Sequence, residues 1–148
     1  MENTKIKNIW SVLCQKAHID SRTNLISLLD IVEQLNIEHK GKLPKQNDKP
    51  LLFPINTTLA GYWQIPDTYK NKDIEIISKV ISPNGEILGS SNVQFKTNKG
   101  YHKTLIDFPQ LPITIEGKYL FETYIKNRGK ENKVSTIPLI VNIKEIIE

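Results

Sequence analysis

Gly117-Lys118-Tyr119-Leu120-Phe121-Glu122-Thr123-Tyr124-Ile125-Lys126, followed after a polar turn by Ile137-Pro138-Leu139-Ile140-Val141-Asn142-Ile143, decides the fold class. Side chains of an extended strand alternate between two faces. Tyr119, Phe121, Thr123 and Ile125 therefore share one face, and Leu120, Glu122, Tyr124 and Lys126 the other. The second stretch repeats the pattern with Ile137, Leu139, Val141 and Ile143. Both read as strands with one face on a core. Pro138 has no N–H to give to a ladder, which places its strand at an edge or at a bulge. Asn127 to Lys133 reads as a solvated turn between them.

Working outward, 148 residues suit one domain, 1–148, with a core of its own. The single cysteine, Cys14, excludes an internal disulfide and suits a reducing compartment. Met1 to Lys7 is polar, without the apolar run of a secretory signal, and no stretch approaches a membrane span. The expected location is cytoplasmic, with no membrane insertion. The net charge of +4 raises the question of nucleic acid, but the lysines are spread over every loop rather than gathered on one element.

Asn8 to Ala17 sets Trp10, Val12 and Cys14 on one face and Ile9, Ser11 and Leu13 on the other. Two partly apolar faces point to an interior strand. Leu25 to Leu35 fits a helix capped by Asn24, with apolar residues at 25, 28, 29 and 32, and it also fits a strand. Its strand-like neighbours favour the strand. Glu38 to Pro50 reads as a polar loop, long for a compact domain. Leu51 to Gln64 reads as a strand interrupted at Pro54, and Asp73 to Ser82 as another. Ser82-Pro83-Asn84-Gly85 is the strongest turn in the chain. Strands follow at Glu86 to Thr97 and Tyr101 to Phe108. The expected fold is all-β, an antiparallel sandwich of about eight strands.

The Gly117-x-Tyr119-x-Phe121 pattern resembles the start of strand F in immunoglobulin-like sandwiches, where a tyrosine anchors its hydroxyl on nearby backbone. On that resemblance Phe121 takes the place of the second core cysteine of antibody domains. Leu13-Cys14-Gln15-Lys16-Ala17, Leu25 to Asp30, Pro83-Asn84-Gly85, Gly117 to Phe121 and Pro138 to Val141 occur in an order that resembles a family of small bacterial domains of unknown function. The resemblance implies an immunoglobulin-like or C2-like sandwich and no particular activity. The Glu38–Pro50 loop departs from that family's more compact pattern.

The chemistry-bearing residues are scattered. His18, His39 and His102 lack metal-ligand spacing, and there is no cysteine pair. Cys14 and His18 lie about 13 Å apart along an extended strand at roughly 3.3 Å per residue, too far for a nucleophile and its base. Asp30, Asp48 and Asp107 are dispersed. Asp20, Asp67 and Asp73 would have to converge from separate loops to hold calcium. Gly89-Ser90-Ser91 lacks the ending of a phosphate loop, and Asn56-Thr57-Thr58 is a sequon without a secretory context. Tyr62-Trp63 fits either an aromatic platform for sugar or base stacking or, in the case of Trp63, the core.

These observations give an expected non-catalytic intracellular binding or protein-interaction module, without catalytic residues, metal or cofactor, and with unknown ligand-binding residues. Its partner is expected to be a protein. Nucleic-acid binding through surface lysines is the alternative, and an enzyme would need His18, Asp20 and His102 to meet. The chain is expected to be a monomer or a homodimer: unpaired edges favour pairing, and lysine-rich edges oppose it.

Overall fold

A computed structural model describes residues 5–40 and 51–146. Among these lie eleven strands: β1 (Lys7–Ile19), β2 (Ile26–Ile31), β3 (Gln34–Lys40), β4 (Leu51–Phe53), β5 (Thr57–Gln64), β6 (Ile74–Ile81), β7 (Ile87–Phe95), β8 (Tyr101–Phe108), β9 (Leu111–Ile113), β10 (Gly117–Asn127) and β11 (Lys130–Ile146). The fold is an all-β sandwich. A four-stranded sheet in the order β2-β1-β5-β8 faces a five-stranded sheet in the order β3-β11-β10-β6-β7, and β4 pairs with β9. A short 3-10 turn spans Asp67–Tyr69. No helix among the described residues is long and apolar enough to cross a membrane.

The alternation of the closing hairpin becomes the core. Tyr119 and Phe121 are fully buried, with Thr123, Ile125, Leu139 and Val141 beside them. Phe121 meets Phe108 of the opposite sheet edge-on, ring centres 5.4 Å apart at 84°. Trp63 is buried and donates its indole N–H to Thr104 Oγ1 at 2.8 Å, so the core reading of Trp63 holds. Glycine at position 61 leaves room for this pair, because a Cβ there would lie 2.8 Å from Trp63 Nε1 and 2.9 Å from Thr104 Oγ1.

Several boundaries differ from the sequence expectation. The strand count rises from about eight to eleven because Leu25 to Leu35 and Leu51 to Gln64 each divide and Leu111–Ile113 adds β9. β2 completes a hairpin with β1, the chain then crosses between sheets at Val32-Glu33, and β3 begins on the other layer. The crossing is pinned at both sides: Val32 N–H donates to Leu13 C=O, and Ile140 N–H donates to Glu33 C=O. Because no turn reverses the chain there, β3 runs parallel to β11, so the second sheet is mixed rather than purely antiparallel. Pro54 separates β4 from β5 as expected of a break.

The β10–β11 turn is shorter than the expected Asn127 to Lys133. Arg128 and Gly129 both adopt positive φ, 53° and 77°, as a two-residue hairpin turn requires, and the ladder extends to Asn127 opposite Lys130. Pro138 lies where β11 is still an edge, since β3 joins only from Ile140 onward. Glu38 to Lys40 belong to β3 rather than to a loop, while the remainder of the expected Glu38–Pro50 loop, Asp48 included, lies outside the described residues.

Candidate functional site

The first sheet has a second apolar face, turned away from the core. Leu13, Leu59 and Ile106 form one cross-strand row on the core side, so their neighbours face outward. Outward rows are Cys14-Thr58-Asp107, Val12-Ala60-Leu105 and Trp10-Tyr62-Lys103. A one-residue bulge at Ile9 keeps Trp10 in step with Tyr62. Cys14 and Ala60 are fully buried although they belong to this outer face. Something therefore covers it.

The tip of the β1–β2 hairpin returns over this face. The hairpin continues beyond the end of β5 and carries Ala17, Ile19, Ile26 and Leu28 on one half-buried face, with Lys16, His18, Ser27 and Leu29 exposed on the other. Asp30, at φ 56°, falls at a gap in the ladder between the Cys14–Ile31 and Lys16–Leu29 pairs, where the hairpin leaves the sheet. At the tip, Asp20 Oδ1 accepts from the N–H groups of Arg22 and Thr23, both at 2.8 Å, and these bonds hold its carboxyl below the usual range. Asn24 closes the turn at φ 59°. Its carbonyl accepts a 2.7 Å hydrogen bond from Lys103 Nζ on β8. Strands β2 and β8 are opposite edges of the same sheet. A hairpin rooted at one edge thus reaches the other across the outer face.

Beneath its tip lies a cavity of about 550 Å3. Ile19 and Asn24 line it from the hairpin, Tyr62 from β5, Tyr101 and Lys103 from β8, and Lys99 from the β7–β8 loop. The aromatic rings form a row: Trp10 to Tyr62 at 5.8 Å, and Tyr62 to Tyr101 at 5.6 Å and nearly parallel, at 23°. Lys103 Nζ lies 5.6 Å from the Tyr62 ring centre, within reach of its negative face. Tyr101 is half exposed. No carboxylate lines the cavity.

Four lysines elsewhere pair with carboxylates: Lys70 with Asp67 at 2.6 Å, Lys79 with Glu131 at 2.7 Å, Lys133 with Glu122 at 3.0 Å and Lys96 with Asp73 at 3.7 Å. Lys99 and Lys103 have no such partner among the described residues. A second cavity, about 390 Å3 near Tyr69 and Val134, is lined by Lys5 and by Lys133, whose ammonium is bound to Glu122.

The residues singled out from sequence fall apart in space. His18 is exposed on the outer face of the hairpin, His39 lies on β3, and His102 lines the cavity. The His102 ring stacks on Phe95, centres 3.9 Å apart, and burial together with Lys103 pushes its pKa down. Asp20 is occupied within its own turn, so His18, Asp20 and His102 do not assemble into a reactive group. Asp67 and Asp73 pair with lysines, and no three His, Cys, Asp or Glu side chains come together to hold a metal among the described residues.

The expected Tyr62-Trp63 platform divides, as neighbours on a strand must: Trp63 enters the core, and Tyr62 joins Trp10 and Tyr101. Tyr101 and Lys103 were missed by sequence reasoning. Alternation along β8 puts both on one face, but only the register of β5 against β8 brings them to Tyr62.

Cys14 lies where the hairpin leaves the sheet. Its Sγ sits 3.6 Å from Thr58 C=O, and burial pushes the thiol pKa up. We expect native protein at pH 8 to react with a thiol reagent at least about a hundredfold more slowly than protein in urea, since the reactive thiolate forms only on opening. Equal rates in the two conditions would show that the hairpin does not cover this face.

No family model matches the chain, and no curated protein matches it. Solved structures that resemble it include dimeric latent PorU from Porphyromonas gingivalis, 14% identical with a TM-score of 0.43, over 65% of this chain and 9% of that one. A β-glucuronidase from Bacteroides uniformis is 16% identical with a TM-score of 0.40, over 62% of this chain and 12% of that one. The chain spans about a tenth of the length of either, and at this overlap the likeness decides nothing about activity or partners.

Proposed function

We propose that the protein is a non-catalytic binding module of immunoglobulin-like type, working in the cytoplasm, and that its ligand site is the cavity beneath the β1–β2 hairpin. The Tyr119 hydroxyl, bonded to backbone at Thr114 and Ile115, supports the immunoglobulin-like assignment. One observation carries the functional reading. Two stacked tyrosines and two ammonium groups without carboxylate partners face the same cavity. Aromatic faces take up flat or ring-shaped groups, and ammonium groups without a carboxylate partner favour an anion. The ligand class is therefore a ring bearing one anionic group.

Calorimetric titration with glucose 6-phosphate and with adenosine monophosphate tests this, with inorganic phosphate as the ringless control. We expect at least one ring-bearing anion to saturate the protein and phosphate to bind more weakly. Lys103→Glu should weaken binding by about tenfold or more, the equivalent of one charge-assisted hydrogen bond. If neither ring-bearing anion binds at millimolar concentration, or if Lys103→Glu binds as wild type does, the reading is wrong.

The same stack and lysines favour single-stranded nucleic acid as a second reading. It requires an oligonucleotide gel shift at low salt that weakens steeply as salt rises.

A further inference from the structure

We infer that β7 is a self-pairing edge, through which two copies of this chain join their five-stranded sheets antiparallel about a two-fold axis. This goes beyond the ligand site and does not depend on it. The sandwich has four edge strands: β2 and β8 in one sheet, β3 and β7 in the other. Exposed edges are normally blunted by charge, proline or distortion. β2 carries Asp30 at positive φ, β3 carries Glu38 and Lys40, and β8 carries Lys103 and Asp107. β7 reads Ile87-Leu88-Gly89-Ser90-Ser91-Asn92-Val93-Gln94-Phe95, nine residues with no charge and no proline, and its one distortion, a bulge at Leu88, leaves Gly89 to Phe95 in regular register. The lysine-rich edges expected to oppose pairing are absent from this strand.

Its surroundings favour a second copy. On the outer face, Glu75 of β6 is held by Asn92 Nδ2 at 3.1 Å and Gln94 Nε2 at 3.3 Å. A symmetric pair sets each residue opposite one from the same strand, so an uncharged strand meets no like charge despite the net charge of +4. A two-fold axis through Ser91 sets Val93 opposite Gly89 and Asn92 opposite Ser90, and each residue keeps its own face. Among the described residues, no strand hydrogen-bonds the outer side of β7.

Sedimentation velocity on the full chain tests the proposal. One strand pair buries a small area, so dissociation in the range of tens of micromolar is expected. The weight-average mass should rise towards twice the monomer value as concentration passes through that range. Exchange of the β7 amides should slow over the same range.

Ser90→Lys combined with Asn92→Lys puts ammonium groups opposite one another in the pair. This variant should stay monomeric at every concentration and keep the wild-type melting temperature within a few degrees. Lys103→Glu should dimerise as wild type does, which separates this proposal from the ligand site. A wild-type protein monomeric at hundreds of micromolar overturns the inference. So does a folded double-lysine variant that still dimerises.

Discussion

Replacing Phe121 by alanine lowers the free energy of unfolding by about 4 kcal/mol, enough to bring a domain of ordinary stability close to its unfolding threshold. The Phe121 ring is fully buried and meets Phe108 edge-on across the two sheets. Truncation removes the ring's transfer free energy and leaves a void bounded by two hydrogen-bonded sheets. Strands fixed by ladders on both sides, as β10 is by β6 and β11, cannot close inward to fill it. Urea denaturation monitored by tryptophan fluorescence measures the effect. Phe121→Leu keeps most of the volume and should cost well under half as much. Equal losses for the two variants would mean that the site collapses freely and that the sheets are not rigid there.

Removal of one oxygen in Tyr119→Phe is expected to cost about 2 kcal/mol, a large effect for so small a change. The hydroxyl accepts from Thr114 N–H at 3.0 Å and from Ile115 N–H at 3.1 Å, and it donates to Ile115 C=O at 2.6 Å. It replaces the missing ladder partners of the segment between β9 and β10. The ring itself is fully buried and survives the substitution, so packing loss contributes little. The variant should therefore differ in kind from Phe121→Ala. Amide exchange at Thr114 and Ile115 should accelerate selectively, while the core strands exchange at rates set by the global loss alone. Uniform acceleration over the whole sandwich would show that the hydroxyl stabilises the core rather than the corner.

These two residues also mark how far the sequence could be read. Alternation names Tyr119 and Phe121 as core residues because a half-buried strand leaves a period-two record, and the Gly-x-Tyr-x-Phe spacing points to the hydroxyl anchor. Ser82-Pro83-Asn84-Gly85 is legible for a similar local reason. Gly85 adopts φ 86°, and the Ser82 hydroxyl accepts from the N–H groups of Asn84 and Glu86. The crossing at Val32-Glu33 was not legible, because nothing in an apolar run tells whether consecutive strands stay in one sheet.

The candidate site was legible only in part. Tyr62 stood out as an aromatic, but Ile19, Asn24, Tyr101 and Lys103 come from segments up to 84 positions apart, and only the arching hairpin joins them. Its polar tip carries the composition of any surface turn. Half-burial of Ala17, Ile19, Ile26 and Leu28 is the physical trace of the covered face, and that trace needs the register of β1 against β2.

The most direct test of the ligand site is an amide NMR titration with glucose 6-phosphate or adenosine monophosphate. The account predicts saturable shifts confined to Ile19, Asn24, Tyr62 and the stretch from Thr97 to Lys103. Saturable shifts centred on any other surface, or none anywhere at millimolar ligand, would contradict it.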